Sequence, residues 1–290
     1  MVGDARRSGS SPAELAATEP RELSETEIPV AELPAAELTA RLRAGYDAAA
    51  DGWAAGPGRV YTRLAAALVA AAPVPLAGRL VLDLGAGAGV AGRAALAAGA
   101  CQVVGADLSE GMLRRGHGGF PVVADAVALP FRDGGFDLVL AAFCLNHLDR
   151  LGVGLAEARR VGAAIAASMF APGWTHPAKD AVDDVARSFG YRPPAWHTVL
   201  SPGTRASDPQ ALAASAAAAG FTDVRARITA VPTGLATPAE LAAWRLGMAH
   251  FAPFLGSLDA PDLAALRHAA EQAVAGTGPL TVSMLVLTAR

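Results

Sequence analysis

The nine residues Val81-Leu82-Asp83-Leu84-Gly85-Ala86-Gly87-Ala88-Gly89 constrain the fold of this chain more than any other stretch. Leu80, Val81 and Leu82 form an apolar run of the kind carried by a strand covered on both faces. Asp83 ends the run, and glycines follow at every second position. That spacing lets the backbone turn tightly and come close to a ligand. Val90–Leu96 then reads as a helix whose positive N-terminal end faces the same ligand. Strand, glycine loop and helix in this order open a parallel, doubly wound sheet.

Two ligands compete for such a loop. Gly87-Ala88-Gly89-Val90-Ala91-Gly92 fits the dinucleotide fingerprint G-x-G-x-x-G, and Asp107 follows Gly87 by 20 residues, as that fingerprint asks. An NAD-dependent oxidoreductase is therefore one reading. It leaves Asp83 and Gly85 without a role and ends the strand early. An acid just ahead of the glycines suits a ligand bearing an ammonium group or free hydroxyls better than a bare pyrophosphate. That combination points to S-adenosylmethionine (SAM).

Composition narrows the setting. The 290 residues carry a net charge of −3, so there is no general basic field to attract nucleic acid. Cys101 and Cys144 are the only cysteines and form no C-x-x-C pair, which fits free thiols in a reducing cytoplasm. The longest apolar stretch near the N-terminus, Leu64 to Gly78, is broken by Pro73 and Pro75, so no membrane span is expected. The first residues do not read as a signal sequence, and a cytoplasmic location is expected. No His, Cys and carboxylate cluster has metal-ligand spacing.

Residues 1 to about 38 hold eight acids against three arginines among Pro, Ser and Ala, the composition of a disordered leader before a domain at 39–290. Helices are expected at 32–50 and 46–72, the second interrupted near Gly56-Pro57-Gly58. Strands are expected at 80–84, 102–106, 121–123, 136–142 and 163–170 within a core at 76–170. A helix at 177–189, another at 210–219, a strand at 221–231, helices at about 237–250 and 259–275 and a last strand near 280–287 follow. The predicted class is α/β: a Rossmann-like, doubly wound, seven-stranded sheet with an antiparallel last strand and helical lid insertions at about 171–209 and 235–278.

Four motifs in order resemble those of class I SAM-dependent methyltransferases, in the small-molecule branch that includes quinone-biosynthesis C-methyltransferases and natural-product enzymes. They are Val81–Gly89; Val103-Val104-Gly105-Ala106-Asp107-Leu108-Ser109 with Gly111-Met112-Leu113; Ala124-Asp125-Ala126 with Leu129-Pro130-Phe131; and Phe136-Asp137-Leu138-Val139 leading to Phe143-Cys144-Leu145-Asn146-His147-Leu148. The match spans roughly residues 46–170. An acid at the end of the second strand, Asp107, can accept from two ribose hydroxyls. The resemblance implies that Met112 packs on the adenine, that Asp125 accepts from its exocyclic amine and that Ala126 offers a backbone amide to a ring nitrogen. Gly85 and Gly87 would border the methionine moiety and Asp83 would help hold its ammonium, with Ala86, Leu108 and Phe143 completing the cofactor-binding set. Two departures stand out. The Pro-Gly turn usual before the fifth strand is absent at Gly162-Ala163-Ala164, which calls for a tighter connection. No Asn/Asp-Pro-Pro-aromatic motif ends the fourth strand, which disfavours methylation of planar amines.

Methyl transfer is a displacement at an activated sulfonium, so positioning supplies most of the rate. An O-methyltransferase adds a general base, commonly His. His147, just past the fourth strand, is the catalytic candidate, against a purely structural histidine as the alternative. Tyr46 stands in helices that fold over the cofactor in the family, and Trp244, His250 and Phe251 in the second insertion are further candidates for the acceptor pocket. The expected function is SAM-dependent methylation of a small, mostly apolar metabolite on oxygen, nitrogen or carbon. A SAM-fold protein that does not methylate, either a cyclase or a binding module, is the alternative alongside the oxidoreductase.

Overall fold

The computed structural model describes residues 34–116, 118–199 and 208–290. Its first element, α1 (Ala35–Trp53), begins inside the stretch read as the leader; residues 1–33 of that stretch lie outside the described residues. Helix α2 (Pro57–Ala70) starts at the Gly56-Pro57-Gly58 break, with proline in its first turn where no amide is needed.

The sheet follows. Strands β1 (Leu80–Leu84), β2 (Gln102–Asp107), β3 (Phe120–Val123), β4 (Leu138–Ala142), β5 (Ile165–Phe170), β6 (Arg225–Pro232) and β7 (Thr281–Ala289) stand in the order β3-β2-β1-β4-β5-β7-β6. β1 to β5 are mutually parallel, and β7 runs antiparallel to both β5 and β6. Between the strands run α3 (Val90–Ala97), α4 (Glu110–Arg115), α5 (Leu151–Val161), α6 (Pro177–Ser188), α7 (Ala195–Val199), α8 (Pro209–Ala218), α9 (Pro238–Leu246), α10 (Ala252–Ser257) and α11 (Ala260–Ala273).

Strand alternation assigns the two faces. Val81, Leu138 and Leu140 point into one core with Leu64 and Leu68 of α2, Trp244 and Phe251. Their neighbours Leu82, Leu84 and Val139 point into the other, against Leu155 and Ala158 of α5 and Leu212 of α8. Each such leucine, fully removed from water, contributes about 1.5–3 kcal/mol. The run Leu80–Leu84 lacks alternation in polarity because both of its faces are covered.

Several boundaries differ from expectation. β4 begins at Leu138, because Phe136 only bridges to Gly162 and the Asp137 carboxylate turns back to accept from the Leu80 amide at 2.9 Å. β5 begins at Ile165; the three residues after α5 make the tight connection that the missing Pro-Gly turn called for, with the Ala163 amide donating to the Phe136 carbonyl at 3.1 Å. β6 begins at Arg225, after Asp223 takes a positive φ of 50°. The helix expected at 237–250 ends at Leu246, and a short 3-10 turn occupies Ala249–Phe251. The helix expected at 259–275 is α11, preceded by the separate α10.

Candidate functional site

A cavity of about 470 Å³ opens at the C-terminal ends of β1, β2 and β4. That edge, beside the point where strand order reverses, is where doubly wound sheets hold ligands. The volume lies in the range of small-molecule sites. One wall is the loop after β1. Gly85, Gly87 and Gly89 all take positive φ, at 70°, 51° and 72°. At Gly85 a side chain has no room: a Cβ there would lie 2.6 Å from Cys144 Cβ. This position therefore requires glycine twice over, by φ and by space.

Asp107 ends β2 and lines the same wall. Its Oδ2 accepts from the Gly87 amide and its Oδ1 from the Ser109 amide, both at 2.8 Å. One bond per oxygen leaves each a further lone pair, enough for two hydroxyls of a ribose. Burial pushes its carboxyl above the usual carboxylate range, opposed by those amides. Leu108, Met112, Asp125 and Ala126 continue the wall, and Ala86 and Phe143 complete it. Met112 is 1% exposed and reaches the loop, its Cε 3.3 Å from where a Cβ of Gly87 would stand. Phe143 holds a φ of 55° and sets its ring 5.1 Å from Tyr61 and 4.7 Å from Phe170. A left-handed non-glycine residue at a ligand site is strain that the surroundings hold in place. The donor set fits SAM: acceptors for the ribose, an apolar slot beside Met112 and a loop without side chains at its glycines.

Asp83 differs from its expected role. It is 1% exposed and lies behind the cavity wall, where Oδ2 accepts from the Gly92 amide at 2.7 Å; Oδ1 has no partner among the described residues. Burial raises its carboxyl to about 7. It braces the turn from loop to α3. The same bond uses the last glycine of the dinucleotide fingerprint inside the protein.

The opposite wall is α1. Thr39, Leu42, Arg43 and Tyr46 line the cavity from successive turns, with Ala35 and Ala36 at the helix start. Tyr46 meets His147, from the 3-10 turn after β4: its hydroxyl lies 3.0 Å from His147 Nε2. His147 Nδ1 is buried without a partner among the described residues. Burial lowers the imidazole to about 4, so it is neutral at pH 7, and burial raises the Tyr46 phenol above its ordinary value. The two groups are thus a neutral, hydrogen-bonded acid–base pair.

The described residues of the two insertions stand elsewhere. Trp244, His250 and Phe251, expected in the acceptor pocket, are 2%, 3% and 0% exposed and do not line this cavity. Trp244 and Phe251 pack into the core shared with Leu64 and Leu68 of α2, and His250 is buried against Tyr191 and Phe251. Tyr191 hydrogen-bonds His250 Nδ1 at 2.8 Å, and Arg245 pairs with Asp183 through two 2.6 Å bonds. α1 contacts α7, the 249–251 turn and α10. Among the described residues, the insertions therefore support the wall rather than line it. Thr39, Leu42, Arg43 and the pair Asp149 and Arg150 are lining residues that sequence reasoning missed. A signal for the first three exists: positions 39, 42, 43 and 46 share one helical face. Among the described residues no group of histidine, cysteine and carboxylate is placed to hold a metal, and no helix is long and apolar enough to cross a membrane.

Comparison with known proteins agrees with this geometry. Residues 82–164 match a family described as a methyltransferase domain. The chain is 36% identical over 137 residues to a demethylmenaquinone methyltransferase of Beutenbergia cavernae, covering 44% of this chain and 55% of that one. It is 36% identical over 140 residues to the Streptomyces griseus demethylmenaquinone methyltransferase, covering 46% and 59%. The aligned part thus spans little more than half the length of these relatives. Among solved structures, a chain of the complex between the Haloferax volcanii Trm112 methyltransferase activator and a methyltransferase superposes with a TM-score of 0.53 at 19% identity, covering 86% of this chain and 96% of that one. With its sheet order, its glycine loop and its acid at the end of β2, this chain has the fold of class I SAM-dependent methyltransferases, and its residues 82–164 match the methyltransferase domain family.

Proposed function

We propose that the protein transfers a methyl group from SAM to a small, mostly apolar metabolite held between the glycine loop and α1. One observation carries the reading: a single cavity joins the Asp107–Asp125 wall to the Tyr46–His147 pair. SAM, when bound, supplies an activated methyl on a sulfonium. Asp107 would orient its ribose, Asp125 and Ala126 would hold the adenine beside Met112, and the loop would hold the amino-acid end. Phe143 and the aromatic run to Tyr61 exclude water on the β4 side.

The chain's own chemistry is proton handling. An acceptor that gains a methyl sheds a proton, and the neutral pair can take it. If Tyr46 donates to Nε2, the phenol oxygen takes the acceptor's proton as its own passes to Nε2; in the other tautomer the pair only orients, because Nδ1 is buried. An imidazole at about 4 is a weak base, so its contribution is orientation with late proton uptake. Calorimetric titration with S-adenosylhomocysteine and NAD, then turnover of methyl-labelled SAM against a metabolite panel, tests the reading. The relatives' names make demethylmenaquinone the first acceptor to try. Binding of NAD in preference to S-adenosylhomocysteine, or binding of the latter without methylation of any panel member, would count against it.

A further inference from the structure

Asp47 follows Tyr46 on α1 but turns the other way. Its Oδ1 accepts from the Ser109 hydroxyl at 2.6 Å and from the Gly111 amide at 2.9 Å. Ser109 is 2% exposed and caps α4, accepting from the Met112 amide at 3.0 Å. The Ser109 amide donates to Asp107, whose other oxygen holds Gly87. A hydrogen-bonded chain therefore runs from the glycine loop through Asp107 and Ser109 to Asp47. One residue along the same helix, Tyr46 continues it to His147. Asp51, one turn on, adds an ion pair to Arg115 of α4. Gly111 leaves the room for this contact, since a Cβ there would stand 2.9 Å from Asp47 Oδ1 and 3.2 Å from its Cα.

We propose that Asp47 is a positioning residue that couples the two halves of the site: a ligand on Asp107 and Ser109 sets the position of α1, and with it the Tyr46–His147 pair. This rests on the cofactor reading given above. The carboxylate suits the role because hydrogen bonds to a charged acceptor are roughly twice as strong as neutral ones. It also fits the electrostatics, since Asp47 raises the Asp107 carboxyl and Asp107 raises the Tyr46 phenol. Coupling between the two halves is reciprocal by thermodynamic linkage. A cofactor bound first therefore presents a finished acceptor wall, and α1 displaced from α4 weakens both.

The test follows the His147 imidazole by nitrogen-detected NMR in the full chain, with and without S-adenosylhomocysteine, in wild type, Asp47→Ala, Asp47→Asn and Gly111→Ala. In the wild type the ligand is expected to shift the His147 signals. Asp47→Ala should weaken S-adenosylhomocysteine about fivefold or more and raise the His147 titration by about one unit as the pair loosens. Asp47→Asn should restore most of both, because its amide oxygen still accepts from Ser109 and Gly111. Gly111→Ala, favourable to α4 by helix propensity, should reproduce the Asp47→Ala spectra by wedging α1 away, and it decides the matter if Asp47→Ala does not fold. His147 signals unchanged in Asp47→Ala or Gly111→Ala would overturn the proposal. A wild type that binds no S-adenosylhomocysteine would sink the cofactor reading instead, and the ligand-free spectra of the variants would still decide the Asp47–His147 link.

Discussion

The Tyr46 hydroxyl and His147 Nε2, 101 positions apart in sequence, lie 3.0 Å apart across the cavity. Replacing either with a group that cannot hydrogen-bond should disable the proton path and leave the cofactor wall alone. Tyr46→Phe and His147→Ala are each expected to lower kcat about 10²-fold, at the weaker end of acid–base contributions. Affinity for S-adenosylhomocysteine should change little, as read by calorimetry beside steady-state kinetics. A loss of affinity as large as the loss in kcat, well beyond the roughly fivefold that coupling through α1 carries, would mean that the pair serves the cofactor instead.

The same histidine predicts a pH effect. An unfolded imidazole takes up its proton near 6.5, but in the cavity wall uptake waits until about 4. Between these values the unfolded chain binds more protons, so the native state loses stability as pH falls through this window and none above it. Asp83, raised to about 7, acts in the opposite direction. It cancels when wild type is compared with His147→Asn. The variant should therefore lose less stability than wild type between pH 7.5 and 4.5, by on the order of 2 kcal/mol after allowance for screening, measured by urea unfolding at each pH.

Asp107→Ala should weaken S-adenosylhomocysteine binding by about 1.5–3 kcal/mol, the scale of hydrogen bonds to a charged group. The variant should also melt lower than wild type without any ligand, because the Gly87 and Ser109 amides lose their acceptor. Unchanged affinity in titration would remove Asp107 from the site.

Gly85→Ala combines a disfavoured positive φ with a Cβ placed 2.6 Å from Cys144 Cβ. The expected destabilisation is about 2 kcal/mol or more, visible as a lower thermal midpoint. Gly134, also at positive φ but with nothing within 4 Å, should tolerate alanine better and serves as the control.

Asp183→Asn leaves the Arg245 guanidinium, 5% exposed, with no carboxylate partner. Breaking a buried pair from one side costs about 3–5 kcal/mol. Chemical unfolding should register that loss. A near-neutral result would show that Arg245 reaches solvent on losing its partner.

Most of the fold is legible because its signals are local. The apolar run before Asp83 marks β1, and the acid before Leu108-Ser109 marks the end of β2, whatever the rest of the chain does. The cavity wall beside the glycine loop is legible for the same reason: Gly85, Gly87, Asp107, Met112 and Asp125 all line it and lie in short motifs that carry their own geometry. The opposite wall is not, because it is made by α1 meeting a turn about a hundred residues away, and no local pattern encodes that meeting. Trp244 and Phe251 misled for a related reason. Size and aromaticity suit a pocket and a core equally, and only the tertiary packing distinguishes them. Asp83 reads as a ligand group by position, yet the Gly92 amide turns it inward.

The place of β7 between β5 and β6 bears on the order in which the molecule is assembled. Strand β6 meets the sheet through β7 alone, and β7 docks by pairings such as Ile165 with Ala289. The strands β1 to β4 instead come from one continuous segment, residues 80–142. Closing a long loop takes more conformational entropy than closing a short one, and non-local pairing forms slowly. Amides of Leu82 and Val139 should accordingly gain protection from exchange before those of Val286 during refolding. The half that carries the cavity then forms first, and the far half of the sheet is a late, single closure that depends on one strand.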